Sequence, residues 1–277
     1  MRRLPDWLIY FLVLSVVLIV LYSSRDRSAI APPAPPDAAD GVGPLLPAAS
    51  AFDPEVLVDV GPVSSGVGTA FAIRDDGWWL TARHVVDSCD KVGIVVGRGA
   101  AVPATEIKVA RFADIALIRT GKGPAPLQMD LDESDLRLGE TAFHMGYPQG
   151  HPGEAASRLI GRERLIARGR YNMDEPVLAW AEVGRTDGLF GTLAGMSGGP
   201  VLDTHGRVIG ITVAESSRRG RIYTASPASI LTLLKMENVQ PAGDPVGRLT
   251  LTNYGPQADK LRRNLAVSQV VCVAEGK

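Results

Sequence analysis

This sequence contains few cysteines and histidines and has almost no net charge. The low net charge and the small number of metal-binding side chains argue against two classes of function. Its 277 residues include two cysteines and four histidines, and 29 basic against 30 acidic side chains leave a formal net charge of −1. Nucleic-acid binding requires a surplus of clustered Lys and Arg, so no nucleic-acid partner is expected. Cys89 and Cys272 form no CxxC or Cys/His zinc spacing, and no other ligand motif occurs, so we expect no metal and no cofactor.

The same two cysteines leave one question open. They lie far apart in the sequence, and a disulfide between them is compatible with a location outside the cytoplasm. The alternative is a pair of buried, unpaired thiols, and the spacing alone does not decide between the two.

The overall composition indicates a folded protein built from short elements. Hydrophobic residues make up 45% of the chain and charged residues 21%, which is typical of a chain that buries a core. The 30 glycines and 20 prolines favour many turns and short strands over long helices.

The N-terminus contains the only long apolar run. Residues 7–22 carry no charge, follow two arginines, and span about 24 Å as a helix, close to the thickness of a bilayer core. The alternative is a cleaved signal peptide, but charges at 25–27 and Pro32 after the small-residue site 29–31 disfavour cleavage. We therefore predict a transmembrane anchor at 7–22, with a cytoplasmic tail at 1–6 and the bulk of the chain outside the cytoplasm.

A Pro/Ala-rich stretch, 23–50, follows the predicted anchor and is typical of an extended linker. From there on, short β-prone runs alternate with turn signals, which predicts an all-β sandwich or barrel. Helical spacing behind a proline predicts a helix at 227–236, and the remainder, 240–277, is an extension of unknown role with possible strands at 249–253 and 267–273 around a basic helix at 257–264.

The segment from Gly195 to Pro200 reads Gly-Met-Ser-Gly-Gly-Pro and is the most informative hexapeptide of the chain. A nucleophilic serine needs an exposed hydroxyl with backbone N–H groups aimed at the developing oxyanion, and glycines allow the tight backbone that this requires. The N–H groups of Gly195 and Ser197 are the natural oxyanion-hole pair. An α/β-hydrolase elbow also fits this pattern, but it needs a distant histidine after the serine, and only His205 follows.

The order histidine, aspartate, serine fits the chain better. His84 stands where an apolar run ends in a polar break, and Asp114 leads directly into the apolar run 115–118. A carboxylate at such a place is well suited to orient an imidazole and stabilise its charged form. Asp87 and Asp90 are weaker alternatives because they lie so close to His84 in sequence. The predicted catalytic residues are therefore His84, Asp114 and Ser197.

The residues TARHVV around His84, ADIALI around Asp114 and GMSGGPVLD around Ser197 resemble the trypsin-like, chymotrypsin-fold serine proteases. The closer resemblance is to the bacterial HtrA/Deg branch, and it covers roughly residues 55–235. It implies two six-stranded antiparallel β-barrels with the active site between them, in a protease domain at 51–239. HtrA/Deg proteins carry a PDZ domain of about 90 residues after the protease, and too few residues remain after 236 for one.

The resemblance also implies a substrate pocket. By ungapped matching, Gly191 forms its floor, and Thr192, Leu193 and Ala214 line it. Without a carboxylate at the floor, cleavage after Lys or Arg is not expected, and small or medium aliphatic residues are. Glu215 at the rim is expected to be a solvated surface charge; the alternative is that it favours a basic substrate residue nearby.

The combined prediction is a serine endopeptidase anchored in the bacterial inner membrane, with its protease domain in the periplasm and proteins or peptides as substrates. Envelope protein quality control or regulated proteolysis is the expected role. The alternative is a catalytically silent or latent protease fold that serves as a membrane-tethered binding or sensor module.

Overall fold

Two seven-stranded sheets organise the residues that this computed structural model describes, 43–97 and 99–275. The first sheet has the order β5-β4-β14-β2-β3-β7-β6, and its strands are β2 (Gly66–Ala72), β3 (Trp78–Thr81), β4 (Lys91–Gly97), β5 (Ala100–Pro103), β6 (Glu106–Val109), β7 (Ala116–Arg119) and β14 (Val267–Val273). The second sheet comprises β1 (Glu55–Val60), β8 (Thr141–Gly146), β9 (Gly153–Gly169), β10 (Met173–Arg185), β11 (Pro200–Leu202), β12 (Val208–Ser216) and β13 (Arg221–Ala225).

The second sheet contains a closed six-stranded ring. Strand β9 is 17 residues long; its first part pairs with β8, and its residues 155–167 pair with β10. The sheet order β9-β10-β13-β12-β11-β8 therefore returns to β9. The ring confirms the predicted barrel, but β1 is a seventh strand that runs parallel to the end of β9, where only antiparallel pairing was predicted.

The first sheet has seven strands where a six-stranded barrel was predicted, and among the described residues its end strands β5 and β6 do not pair to close a ring. Its strand β14 comes from the C-terminal segment and lies between β2 and β4, antiparallel to both. A strand at 267–273 was predicted, but the pairing partners of such a strand depend on contacts more than 170 positions away in the chain and cannot be read from local pattern. Residues 240–277 thus include an internal part of the first sheet.

A disulfide between Cys89 and Cys272 reinforces this arrangement. It connects the turn after the first helix, α1 (Arg83–Val86), to β14 across 183 positions of sequence. Cross-links that close long loops restrict the unfolded chain most, and such bonds typically contribute about 2–4 kcal/mol to stability. The structure therefore answers the question that the cysteine spacing left open.

Helices flank the sheets at the C-terminal side. Helix α2 (Pro227–Met236) has the predicted bounds, with Ser226 as its N-cap accepting a hydrogen bond from the N–H of Ser229. Helix α3 (Tyr254–Arg263) begins three residues before the predicted start. The predicted strand at 249–253 is wrong: these residues form a turn in which the Asn253 side chain accepts a hydrogen bond from the N–H of Thr250 at 2.8 Å.

The described end of the predicted linker makes contact with the second sheet. The N–H of Leu46 donates to the carbonyl of Leu136 at 2.7 Å, and the N–H of Leu138 donates to the carbonyl of Pro44 at 3.0 Å. The Leu46 side chain is buried. The predicted tail and anchor, 1–6 and 7–22, lie outside the described residues, and within 43–97 and 99–275 there is no helix of sufficient length and apolarity to cross a bilayer.

Candidate active site

Pairing between β3 and β7 brings His84 and Asp114 together. Thr81 at the end of β3 pairs with Ala116 at the start of β7, so the residues after β3 and those before β7 leave the sheet at the same edge. His84 Nδ1 lies 2.6 Å from Asp114 Oδ2, and the backbone N–H of His84 donates to Asp114 Oδ1 at 2.9 Å. This two-point contact sets the orientation of the imidazole ring, and among the described residues Nε2 has no hydrogen-bond partner.

Burial and neighbouring charges shift the pKa of His84 in opposite directions. The His84 side chain is about one-third exposed. Burial lowers the pKa of His84, but the charge and hydrogen bond of Asp114 raise it by more, and Arg170 opposes them slightly. The net shift of the His84 pKa is upward from its ordinary value. The imidazole is therefore a stronger base than a free histidine, as a general base requires.

Asp114 is buried and held by several donors. Burial raises its pKa, whereas the charge and hydrogen bonds of His84 and the hydroxyl of Tyr171 lower it by more, so the net shift is downward. The Tyr171 hydroxyl donates to Asp114 Oδ1 at 3.2 Å, and the Asp114 N–H donates to the carboxyl group of Glu175 at 2.9 Å. The carboxylate therefore stays ionised beside the imidazole.

Ser197 lies on a turn whose next position, 198, accommodates only glycine. Gly198 has φ = +87°, and a Cβ there would lie 2.1 Å from the carbonyl oxygen of Thr69. The carbonyl of Ser197 accepts a hydrogen bond from the N–H of Thr69 at 2.9 Å, which ties this turn of the second sheet to β2 of the first. A Cβ on Gly68 would contact both Val85, next to His84, and the Ser197 carbonyl, so the serine turn packs closely against the histidine helix.

The peptide before Gly195 is anchored in one orientation. The carbonyl of Ala194 accepts a hydrogen bond from the N–H of Gln149 at 2.5 Å, and Gly195 itself has φ = +97°. The carbonyl and N–H of a trans peptide point in opposite directions, so the Gly195 N–H points away from Gln149. Within the described part of the chain, neither the Gly195 nor the Ser197 N–H donates to another residue, which leaves both available for an oxyanion.

The loop that carries the predicted substrate residues is held by a carboxylate. Glu215 accepts hydrogen bonds from the Thr192 hydroxyl and from the N–H of Leu193, so the expectation of a solvated surface charge at this position is wrong. Gln149 adds two more contacts, from its side-chain amide to the carbonyls of Phe190 and Thr192. The Leu193 side chain is buried in an apolar cluster of the second sheet.

A cleft of about 430 Å³ opens beside His84 and Asp114. Its lining includes the end of β12, with Ala214 and Glu215, and the end of β1 with the residues that follow it. Arg170 and Tyr171 also line the cleft, as does the disulfide. Of the four residues predicted to bind substrate, Ala214 lines this cleft, whereas Gly191, Thr192 and Leu193 belong to the neighbouring loop.

The other histidines have different surroundings. His144 is fully buried in β8 between the hydroxyls of Ser157 and Thr212, and burial lowers its pKa to about 3. His205 is an exposed turn residue. No group of three or more His, Cys, Asp or Glu side chains within residues 43–97 and 99–275 is placed to hold a metal ion.

Sequence reasoning missed Tyr171, Glu175 and Gln149. The first two lie on the β9–β10 hairpin, about 60 positions after Asp114. The only local signal is that Glu175 is an acidic residue at the start of an apolar strand, the same signal that identified Asp114. Nothing in the sequence marks Gln149, a turn residue with φ = +54°.

Comparison with known proteins places this geometry in context. The family model described as a trypsin-like peptidase domain matches residues 68–211, just over half of the 277-residue chain, and includes His84, Asp114 and Ser197. Among curated relatives, a protein of Chlamydia pneumoniae named "Probable periplasmic serine endoprotease DegP-like" is 29% identical over 55% of this chain. A protein of the same name from Brucella suis is 31% identical over 57% of it. The matches span only 30% and 29% of those relatives' own lengths.

A solved structure shows the same fold. The active form of the Rv3671c protease from M. tuberculosis aligns with a TM-score of 0.50 and 21% identity, covering 64% of this chain and 76% of that one. At this level of identity the likeness shows the fold alone, which is a mostly β, chymotrypsin-like arrangement with few helices.

Proposed function

The chain belongs to the trypsin-like peptidase family, and on that basis we propose that it is a serine endopeptidase in which Ser197 is the nucleophile. His84 acts as the general base and Asp114 orients it. The observation that carries the proposal is the two-point contact of His84 with Asp114, with the ring contact at 2.6 Å, beside a glycine-framed serine.

The proposed chemistry is acyl transfer in two stages. Ser197 Oγ attacks the peptide carbonyl while His84 Nε2 takes its proton, and the N–H groups of Gly195 and Ser197 stabilise the oxyanion. His84 then gives the proton to the leaving amine, and an acyl-enzyme forms. Water attacks the acyl carbon with His84 again as base, which releases the acid product and restores the serine.

The proposed substrate site follows the end of β12. Strand β12 pairs with β11 only up to Ile211, and among the described residues no strand pairs with that edge beyond it. An extended peptide is able to add to such an edge through main-chain hydrogen bonds. We propose that substrate lies along residues 213–215, with Gly191, Thr192 and Ala214 around a pocket for small or medium aliphatic side chains; the buried Leu193 side chain supports this loop from the core.

The test is labelling of the full-length chain with a fluorophosphonate probe, which reacts only with an activated serine. We expect labelling of the wild type and none of Ser197→Ala or His84→Ala, because each removes a group that generates the nucleophile. Ser217→Ala and His205→Ala are the matched controls, since both residues are exposed and lie outside the site, and they should label like wild type. Absence of labelling in folded wild type would count against an assembled triad.

One observation favours the alternative of a latent or silent protease fold. Within the described part of the chain, no hydrogen bond joins Ser197 Oγ to His84 Nε2, although such contacts often tighten only when substrate binds. Wild type that labels only after a peptide is added would identify a latent enzyme. Wild type that never labels but binds peptide would identify a binding module.

We also propose that residues 7–22 anchor the protein in the inner membrane of a bacterium, with residues 51–239 in the periplasm and 1–6 in the cytoplasm. The DegP-like relatives are named as periplasmic, and a disulfide is compatible with that compartment. A role in envelope protein quality control or regulated proteolysis would follow from that location.

Membrane extraction and intact mass test the anchor. We expect the full-length chain to stay in the membrane fraction after alkaline carbonate treatment, with an intact N-terminus, because residues 7–22 are apolar enough to remain inserted. Val16→Arg, which places a charge in the middle of this run, should release the protein, whereas Val16→Leu should not. A mature mass that begins near residue 32 would instead identify a cleaved signal peptide.

A further inference from the structure

The proposed triad is divided between the two sheets. His84 and Asp114 belong to the first sheet, and Ser197 belongs to the second. Catalytic groups must hold their mutual geometry to a fraction of an ångström, so contacts that cross between the sheets decide whether the triad is aligned. The side chains that make such contacts next to Asp114 are therefore of particular interest.

We propose that Glu175 is a positioning residue that fixes Asp114, and through it His84, relative to the second sheet. The proposal rests on the proposed function and adds a residue to it. Glu175 lies in β10, paired with Leu165 of β9, and has no exposed surface. Its Oε1 accepts the backbone N–H of Asp114 at 2.9 Å, so a side chain of the second sheet holds the main chain of the first.

The contact is one part of a short inter-sheet clamp. Tyr171, at the tip of the same hairpin, donates to Asp114 Oδ1 at 3.2 Å, and Arg170 Nη2 donates to the carbonyl of His84 at 3.3 Å. The Arg83 guanidinium stacks on the Tyr171 ring at 3.8 Å. Of these contacts, only that of Glu175 is fully buried and holds the backbone of Asp114.

Burial raises the pKa of Glu175 well above its ordinary value, and the neighbouring charge of Asp114 raises it further, whereas the hydrogen bond from the Asp114 N–H lowers it. The other charged groups around Asp114 are Arg83, His84 and Arg170, and the Glu163–Arg221 ion pair lies on the same face of the sheet as Glu175. Glu175 Oε2 is buried, and among the described residues it has no hydrogen-bond partner.

Burying a carboxyl group with an unpartnered oxygen costs desolvation free energy, which an apolar side chain of similar size would avoid. The hydrogen bond to Asp114 is the one interaction that an apolar replacement would lose. An apolar variant therefore keeps the packing of Glu175 but loses its positioning hydrogen bond, and a polar, uncharged variant keeps both.

The test compares Glu175→Leu and Glu175→Gln in the full-length chain. Leucine fills the same space without accepting the Asp114 N–H, and glutamine keeps a neutral acceptor. We expect Glu175→Leu to lower kcat about 10- to 100-fold with little change in KM and with an unchanged melting temperature. Glu175→Gln should stay within about threefold of wild type. Glu163→Leu, on the same sheet face but not in contact with Asp114, is the matched control and should keep wild-type kcat.

Two results would overturn the proposal. One is a folded Glu175→Leu with wild-type kcat, and the other is a Glu163→Leu loss of equal size. Should Glu175→Leu fail to fold, Glu175→Met takes its place with the same expectations.

A second readout does not depend on activity. The proton shared by His84 Nδ1 and Asp114 gives a far-downfield NMR signal when the pair is aligned, and we expect Glu175→Leu to shift or broaden it and Glu175→Gln to keep it. An unchanged signal in Glu175→Leu contradicts the proposal even if wild type proves inactive. An inactive wild type that shows this pattern contradicts only the proposed function.

Discussion

Asp114→Asn is expected to lower kcat by about 10⁴-fold, the size of effect that this change has in well-studied Ser-His-Asp enzymes. The physical reason is the donor arrangement around the side chain: His84 Nδ1, the His84 N–H and the Tyr171 hydroxyl all donate to it. An amide offers one acceptor atom in place of two and presents its own N–H₂ group to one of these donors. The imidazole then turns or takes the wrong tautomer, and Nε2 no longer accepts a proton from Ser197.

The same variant should move the pH dependence in a defined direction. Only the neutral imidazole acts as a base, so activity falls as the pH decreases through the pKa of His84, which is raised from its ordinary value in the wild type. Without the charge of Asp114, burial and Arg170 remain, and both lower that pKa. The acid limb of the residual kcat/KM profile should therefore move to lower pH.

Steady-state kinetics from pH 5 to 9 would measure both effects. Asp87→Asn is the matched control, since Asp87 lies three residues after His84 and pairs with Arg83 at 2.9 Å without touching the imidazole. We expect it to keep activity within a few fold of wild type. Equal losses in the two variants would show that the site tolerates no nearby charge change and would remove the special role of Asp114.

The second large effect concerns stability. Val270→Asp is expected to cost more than about 4 kcal/mol and to leave little folded protein, because it buries a carboxylate with no partner. Val270 has no exposed surface and sits in the middle of β14, paired with Gly68 of β2 on one side and Ile94 of β4 on the other. A charge there disrupts the centre of the first sheet, and β2 also holds the Ser197 turn through Thr69.

Val273→Asp tests the same substitution three residues later, at the end of the strand, where the side chain is 39% exposed. We expect it to change the free energy of unfolding by less than about 1 kcal/mol, since surface changes rarely exceed that. Chemical denaturation followed by circular dichroism measures the difference. Similar stability of the two variants would mean that β14 docks on an independently stable sheet and is not part of its core.

Several contacts link the C-terminal segment to the candidate active site. Strand β14 supports β2 and β4, the disulfide ties it to the turn after the histidine helix, and its Gln269 donates to the carbonyl of Gly150 beside Gln149. Helix α3 adds Arg262, which is buried and binds Glu154 at 2.8 Å. The segment predicted as an extension of unknown role therefore packs behind the loops that surround Ser197.

The sequence by itself determined the parts of this protein that depend on neighbouring residues. Glycines around Ser197, a histidine at a strand end and an aspartate leading into a strand are local features, and the structure brings His84 and Asp114 into contact. Helix 227–236 and strand 267–273 were likewise readable, because a proline at a helix start and the spacing of apolar residues act within a few positions.

Only the tertiary structure decided what those elements pair with. The insertion of β14, the Cys89–Cys272 bond and the contacts of Tyr171 and Glu175 with Asp114 join residues about 60 to 200 positions apart. The turn at 249–253 looked like a strand because its threonines favour strands, whereas Asn253 favours a turn and closes it by accepting a hydrogen bond from the N–H of Thr250. Side-chain pattern specifies which face of an element is buried, but the partner that buries it follows from the packing of the whole chain.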